Sequence, residues 1–242
     1  MKKIIGLALL ASAASAGVAN AEPTFSGNVA LTSDYVFRGV SQSDSDIAVQ
    51  GGFDVTNDIF YAGAWASSID FGSNGTIETD VYAGVRPVLG AVTLDFGVIG
   101  YLYPGMDELP GAPETDMWEF KAGASIAPAE GFTLGGALYY SPDFTLTAGD
   151  ESGLYAEINA SFAVSDTLSI SGAVGNQSVD QTGYYPGGED NYTTWNIGGT
   201  ATVAGFGLDL RYTDTDLDPE VFGPSGDEAS DGRVVLTVKR AL

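Results

Sequence analysis

The chain contains no cysteine and no histidine. Without cysteine there is neither a disulfide framework nor a thiolate metal site. Without histidine, the commonest general base and the commonest transition-metal ligand are lost together. Ser–His and Asp–His chemistry goes with them, so the chain reads as non-enzymatic, with no catalytic residue, metal or cofactor expected. Basic residues are scarce as well: nine Lys and Arg stand against 32 Asp and Glu, a formal charge of −23. Nucleic-acid binding draws on basic surface, so no nucleic-acid partner is expected. Beyond its first residues the chain has no apolar run near the roughly 18 needed for a helical membrane span.

What is present points to export and to β-structure. Lys2 and Lys3 precede an apolar stretch from Ile4 to Leu10, and a small-residue tail ends in Ala19-Asn20-Ala21. That is the layout of a signal peptide over residues 1–21, cleaved before Glu22. Residues 22–242 then read as one domain without a linker. Glycine is abundant, with 33 residues against ten prolines, and aliphatic and aromatic residues are too plentiful for simple disorder.

Apolar or small residues recur at every second position, the period of a half-buried strand. Val92, Leu94, Phe96, Val98 and Leu102 alternate with Thr93, Asp95, Ile99 and Tyr101. Leu154, Ile158, Phe162 and Val164 alternate with Tyr155, Glu157, Asn159 and Ser161. Twelve such strands are expected, at roughly 24–38, 48–56, 59–70, 76–88, 91–103, 115–127, 131–141, 153–164, 167–176, 192–203, 206–215 and 232–241. Counts of ten or fourteen remain open, because the connection at 71–75 and the long one at 177–191 admit other partitions.

The connections alternate in length. Those at Asn57-Asp58, Leu89-Gly90, Pro128 to Glu130, Ser165-Asp166 and Ala204-Gly205 are tight. Those at 39–47, 104–114, 142–152, 177–191 and 216–231 are long and polar. Transmembrane β-barrels have this segregation, with short periplasmic turns and long extracellular loops. A soluble sandwich has no reason for it. Aromatic residues gather at strand ends: Tyr35, Phe37, Phe71, Tyr101, Tyr103, Trp118, Tyr140 and Tyr155 toward the long loops, and Phe25, Phe53, Phe132, Phe162 and Phe206 toward the tight turns. Two such belts are expected of interfacial girdles. The fold expected is therefore a closed antiparallel transmembrane β-barrel.

Several segments resemble the proteobacterial TorF family. The most specific is SGNVALTSDYVFRGVSQSDSDIAVQGGFDV over residues 26–55, followed by YAGAWASSIDFG (61–72), ETDVYAGVR (78–86), DFGVIGYLYPG (95–105) and GLYAEINASFAVSDTLSISGAVG (153–175). The resemblance implies an outer-membrane barrel with a pore, in a family assigned as porins by architecture. One departure is the end, Val238-Lys239-Arg240-Ala241-Leu242, where many such barrels finish on an aromatic residue. By parity Arg240 faces lipid at the periplasmic rim, where it can snorkel.

If the apolar parity faces lipid, the opposite parity lines the interior with eight acids and six bases. Asp80, Asp95, Glu119, Lys121, Glu157, Asp209 and Arg211 fall nearest the middle, and Arg38 and Arg86 complete the candidate pore lining. Opposed wall charges suit a water-filled pore with a transverse field, and equally a paired network that plugs the barrel. The expected function is an outer-membrane porin-like channel for ions or small hydrophilic solutes. The alternative is a non-conducting structural or adhesive barrel acting through its acidic extracellular loops. The partners expected are outer-membrane lipid and lipopolysaccharide, the latter bridged to those loops by divalent cations. Asp214, Asp216 and Asp218 have the spacing of a calcium loop, but Pro219 stands at its glycine and Ser225 at its glutamate, so no specific site is expected. The lipid-facing parity singles out no protomer interface, and the oligomeric state stays open.

Overall fold

The computed structural model describes residues 22–106, 115–147, 151–218, 220–221 and 223–242. The signal peptide expected at 1–21 lies outside them. The elements are β1 (Thr24–Thr32), β2 (Val36–Phe37), β3 (Val40–Ser41), β4 (Ala48–Asn57), β5 (Phe60–Ser68), β6 (Ile77–Val85), β7 (Val88–Leu89), β8 (Val92–Leu102), β9 (Met117–Ala129), β10 (Phe132–Ser141), β11 (Gly153–Ser165), β12 (Leu168–Val179), β13 (Asn191–Val203), β14 (Phe206–Thr215) and β15 (Arg233–Ala241). One single-turn 3₁₀ segment, Pro186–Gly188, interrupts the loop before β13.

Twelve of these strands, all except β2, β3 and β7, form one antiparallel ring in chain order. The ring closes where β1 pairs with β15, from Asn28↔Ala241 to Thr32↔Thr237. Closure leaves no open edge, which is the condition for a sheet in hydrocarbon. The twelve-strand count is the one read from the alternation of residues.

The faces sort as the parity requires. Phe25 is 78% exposed and Ile158 67%, and Phe53, Ile197, Leu210 and Val234 also stand outward. Buried residues such as Ala30, Tyr101, Met117, Tyr155, Tyr192 and Val235 point into the barrel. A molecule with its large apolar side chains outside and its polar groups within is built for lipid. Arg240 also faces outward, with its guanidinium 4.8 Å over the Phe206 ring and Nη1 reaching the Ala204 carbonyl at the tight-turn end.

The turns show why the chain reverses where it does. Ala204 and Gly205 both have positive φ, 51° and 81°, the pair of left-handed residues that a two-residue hairpin turn demands. Two tight turns differ from the sequence expectation, each through a proline. β6 stops at Val85, and Pro87, which has no N–H to give, separates it from the short β7. β9 runs on through Pro128 to Ala129, where the register against β10 shifts between Phe132 and Leu134; irregular pairing is where a strand tolerates proline.

The largest departure is in the first strand. Expected to run to residue 38, β1 ends at Thr32. Residues 33–47 then turn into the barrel, carrying the small hairpin β2–β3. The aromatic belt at the long-loop end is corrected with it. Trp118 and Tyr140 face outward there, whereas Tyr101 packs inside against Phe37, and Tyr155 is buried.

Depth in the membrane should set the cost of an exterior charge. Ile158→Arg, at the middle of β11, is expected to lower unfolding free energy by roughly 2–4 kcal/mol, and Val203→Arg, at a strand end, by about 0–1 kcal/mol. Urea titration of protein refolded into lipid vesicles checks the difference.

Candidate functional site

The interior is organised by the segment 33–47. Val36 pairs with Ser41 and Phe37 with Val40, leaving Arg38 and Gly39 as the turn, both at positive φ of 49° and 86°. Gly39 has no substitute there: a Cβ would run into Thr194 of β13 and Thr215 of β14. An arginine at positive φ is uncommon, and this one is held by its contacts.

The Arg38 guanidinium is 6% exposed and its partner Glu119 1%. Nη2 donates to Glu119 Oε2 at 2.7 Å and Nη1 to Gln177 Oε1 at 2.6 Å. Tyr101 donates its hydroxyl to the same Glu119 oxygen at 3.0 Å, and Tyr192 donates to the Arg38 carbonyl at 3.0 Å. The guanidinium carbon lies 4.2 Å from the Tyr155 ring centroid and 5.3 Å from that of Tyr139. Aromatic faces and a carboxylate together compensate the charge for its lost water.

The rest of the segment reaches the remaining wall. Tyr35 packs edge-on against Trp65 of β5 at 5.3 Å and donates to Glu78 of β6 at 2.7 Å. Asp34 accepts from Ser41 and Ser43 and forms an ion pair of 2.7 Å with Arg233 of β15. Arg233 in turn donates to the carbonyls of Asp231 and Glu228. Residues 33–47 thus touch every barrel strand from β5 to β15, as a diaphragm near the long-loop end. Above it, Tyr101, Met117, Phe144 and Val179 make a small apolar core with Tyr184 and Tyr185 packed on it. Burial pushes the Tyr184 hydroxyl up to about 12, so it stays protonated and donates to the Thr145 carbonyl at 2.8 Å.

Beneath the hairpin lies a cavity of about 530 Å³, bounded by Trp65, Tyr139, Tyr155, Glu157, Asn196, Asp209 and Arg211 among others. Another concavity, on the outer wall between β8 and β12, is lined chiefly by Leu94, Phe96, Ala122, Leu138, Ile158 and Val174; most of its lining belongs to the lipid-facing surface.

The nine candidate pore-lining residues all stand on the inner parity or, for Arg38, on the inward hairpin, but they do not form one ring. Arg38 and Glu119 make the buried latch. Arg86 and Lys121 converge on Asp95, at 3.2 and 2.8 Å, and Tyr61 donates to the same carboxylate at 2.7 Å while Arg86 stacks 4.0 Å over its ring. Arg211 chelates Asp209 through Nε and Nη2, both at 3.1 Å, and also reaches Asn196 and Ser171. Among the described residues Glu157 accepts from Tyr155 and Asn159 alone, and the Oδ1 atom of Asp80 is buried with no hydrogen-bond partner. Sequence reasoning missed Tyr35, Trp65, Tyr61, Tyr139 and Gln177. The first was assigned to a belt facing lipid, and the others carry no charge to single them out.

Two of the three acids with calcium-loop spacing serve other ends. Asp214 accepts from Tyr212 and the Thr215 amide, and Asp216 from the Thr193 amide at 2.6 Å. Among the described residues no group of three acids is arranged to hold a metal ion.

A closed antiparallel barrel, apolar outside and charged within, defines the chain as an outer-membrane-type β-barrel. It belongs to a family described as "Bacterial protein of unknown function (Gcw_chp)", whose family model matches residues 16–242. No curated protein matches the sequence. Among solved structures, the NanC porin superposes with a TM-score of 0.62 at 9% identity, over 89% of this chain and 98% of that one. The COG4313 outer membrane channel from Pseudomonas putida F1 gives 0.50 at 12% identity, over 95% and 100%. At such identities the likeness is one of fold.

Removing the latch should free the hairpin without opening the ring. Arg38→Ala leaves Glu119 buried and unpaired, a change that costs about 3–5 kcal/mol in comparable pairs. Amide exchange should rise over residues 34–43 and stay unchanged across β11–β13.

Proposed function

We propose that this protein is an outer-membrane porin-like channel for ions or small hydrophilic solutes, reaching the membrane through a cleaved signal peptide at 1–21. The observation that carries the reading is the charged, cavity-bearing interior of a ring whose exterior is apolar. A protein acting only through its loops has no use for a wall on which ionised groups are ranged down to Asp95, Asp209 and Lys239. On this reading the long loops are extracellular and the tight turns periplasmic, and the hairpin at Arg38 is the constriction. The TorF resemblance and the channel folds above support the same direction. Lipopolysaccharide, bridged by divalent cations to the acidic loops, is the proposed outer contact.

A second reading, a non-conducting barrel, is favoured by one observation: residues 33–47 reach almost the whole circumference. The two separate in planar bilayers. Discrete conductance steps from folded protein are expected, and Arg38→Ala should enlarge them. Silence from both proteins, each shown folded by retarded migration in unheated detergent, leaves the barrel structural or adhesive.

A further inference from the structure

We infer that the bore is selective for small cations, and that Glu157 is the lumen carboxylate that sets the preference; this rests on the channel reading. The ion pairs decide the sign. At the long-loop end and middle of the lumen the bases are paired: Arg38 with Glu119, Arg211 with Asp209, Arg233 with Asp34, and Lys121 with Asp95, which Arg86 shares. A paired base presents little field to a passing anion. Among the described residues Glu157, by contrast, has no base in an ion pair with it; its carboxylate is held toward the cavity by the Tyr155 hydroxyl and the Asn159 amide, at 3.0 and 2.9 Å.

The approach to this zone has the same sign. The connections on the long-loop side carry Asp44, Asp46, Asp70, Asp180 and Asp190, with many more acids, and no Lys or Arg except the buried Arg38. Such a mouth concentrates cations and depletes anions within about a Debye length, roughly 8 Å at physiological salt. Of the other lumen bases, Lys239 stands near the tight-turn end of β15. An entering cation therefore meets acidic loops and then Glu157, a carboxylate at the cavity with no base paired to it among the described residues. Fixed charge of one sign at the mouth and narrow zone selects the counter-ion.

The test is reversal potential in planar bilayers under a tenfold potassium chloride gradient. The expected potassium-to-chloride permeability ratio is roughly five or more, falling toward one in Glu157→Gln, while neutralising the mouth with Asp180→Asn and Asp190→Asn lowers it less. A conducting channel that prefers chloride, or is indifferent, overturns the inference and leaves the channel reading intact. So does a Glu157→Gln channel with the wild-type ratio. Folded protein that never conducts removes both.

Discussion

In hydrocarbon a backbone amide finds no partner except another backbone group, and this chain meets that demand at the seam between β1 and β15. Much else follows from the seam. Once the ring is closed, alternate side chains must face either lipid or lumen, so alternation in the sequence becomes a division of solvents. Leu154, Ile158 and Phe162 go one way, and Tyr155, Glu157 and Asn159 the other. Closure also creates an interior with no apolar core of the usual kind, and charges there can be ionised only where water or a counter-charge reaches them.

The interior resolves that problem unevenly. Near the long-loop end it is closely packed, and the charges it holds include the Arg38–Glu119 and Asp34–Arg233 pairs, the first surrounded by tyrosines. Lower down, where a cavity admits water, Arg211 and Asp209 remain partly exposed. The buried pair does not need to stabilise the barrel to be useful. It fixes the place of a hairpin whose tip would otherwise occupy a strained backbone conformation for nothing.

Much of the architecture was legible in the residues. Twelve strands followed from alternation, and Ala204-Gly205, read as a tight connection from its length, proves to be a turn of two left-handed residues. The misreadings have local causes. Asp34, Tyr35 and Phe37 continue the alternation of β1, so nothing in the pattern marks the inward bend; the bend is dictated by Trp65, Glu78 and Arg233, far along the chain from the residues they hold. Pro87 and Pro128 carried a warning of irregular pairing, but which one breaks a strand depends on the partner's register. For the interior, parity gave the identity of the wall residues. It could not give their grouping, because Arg86, Lys121 and Asp95 meet only through the registers of β6, β8 and β9.

The placement of residues 33–47 has a consequence for how the molecule assembles. Their docking partners come from strands made both early and last, from Trp65 to Arg233. No partial sheet offers the complete seat, so the segment next to the first strand must wait for the final one before it can settle. An N-terminal loop thereby acts as the concluding step of folding, and its burial records that the cylinder has been completed.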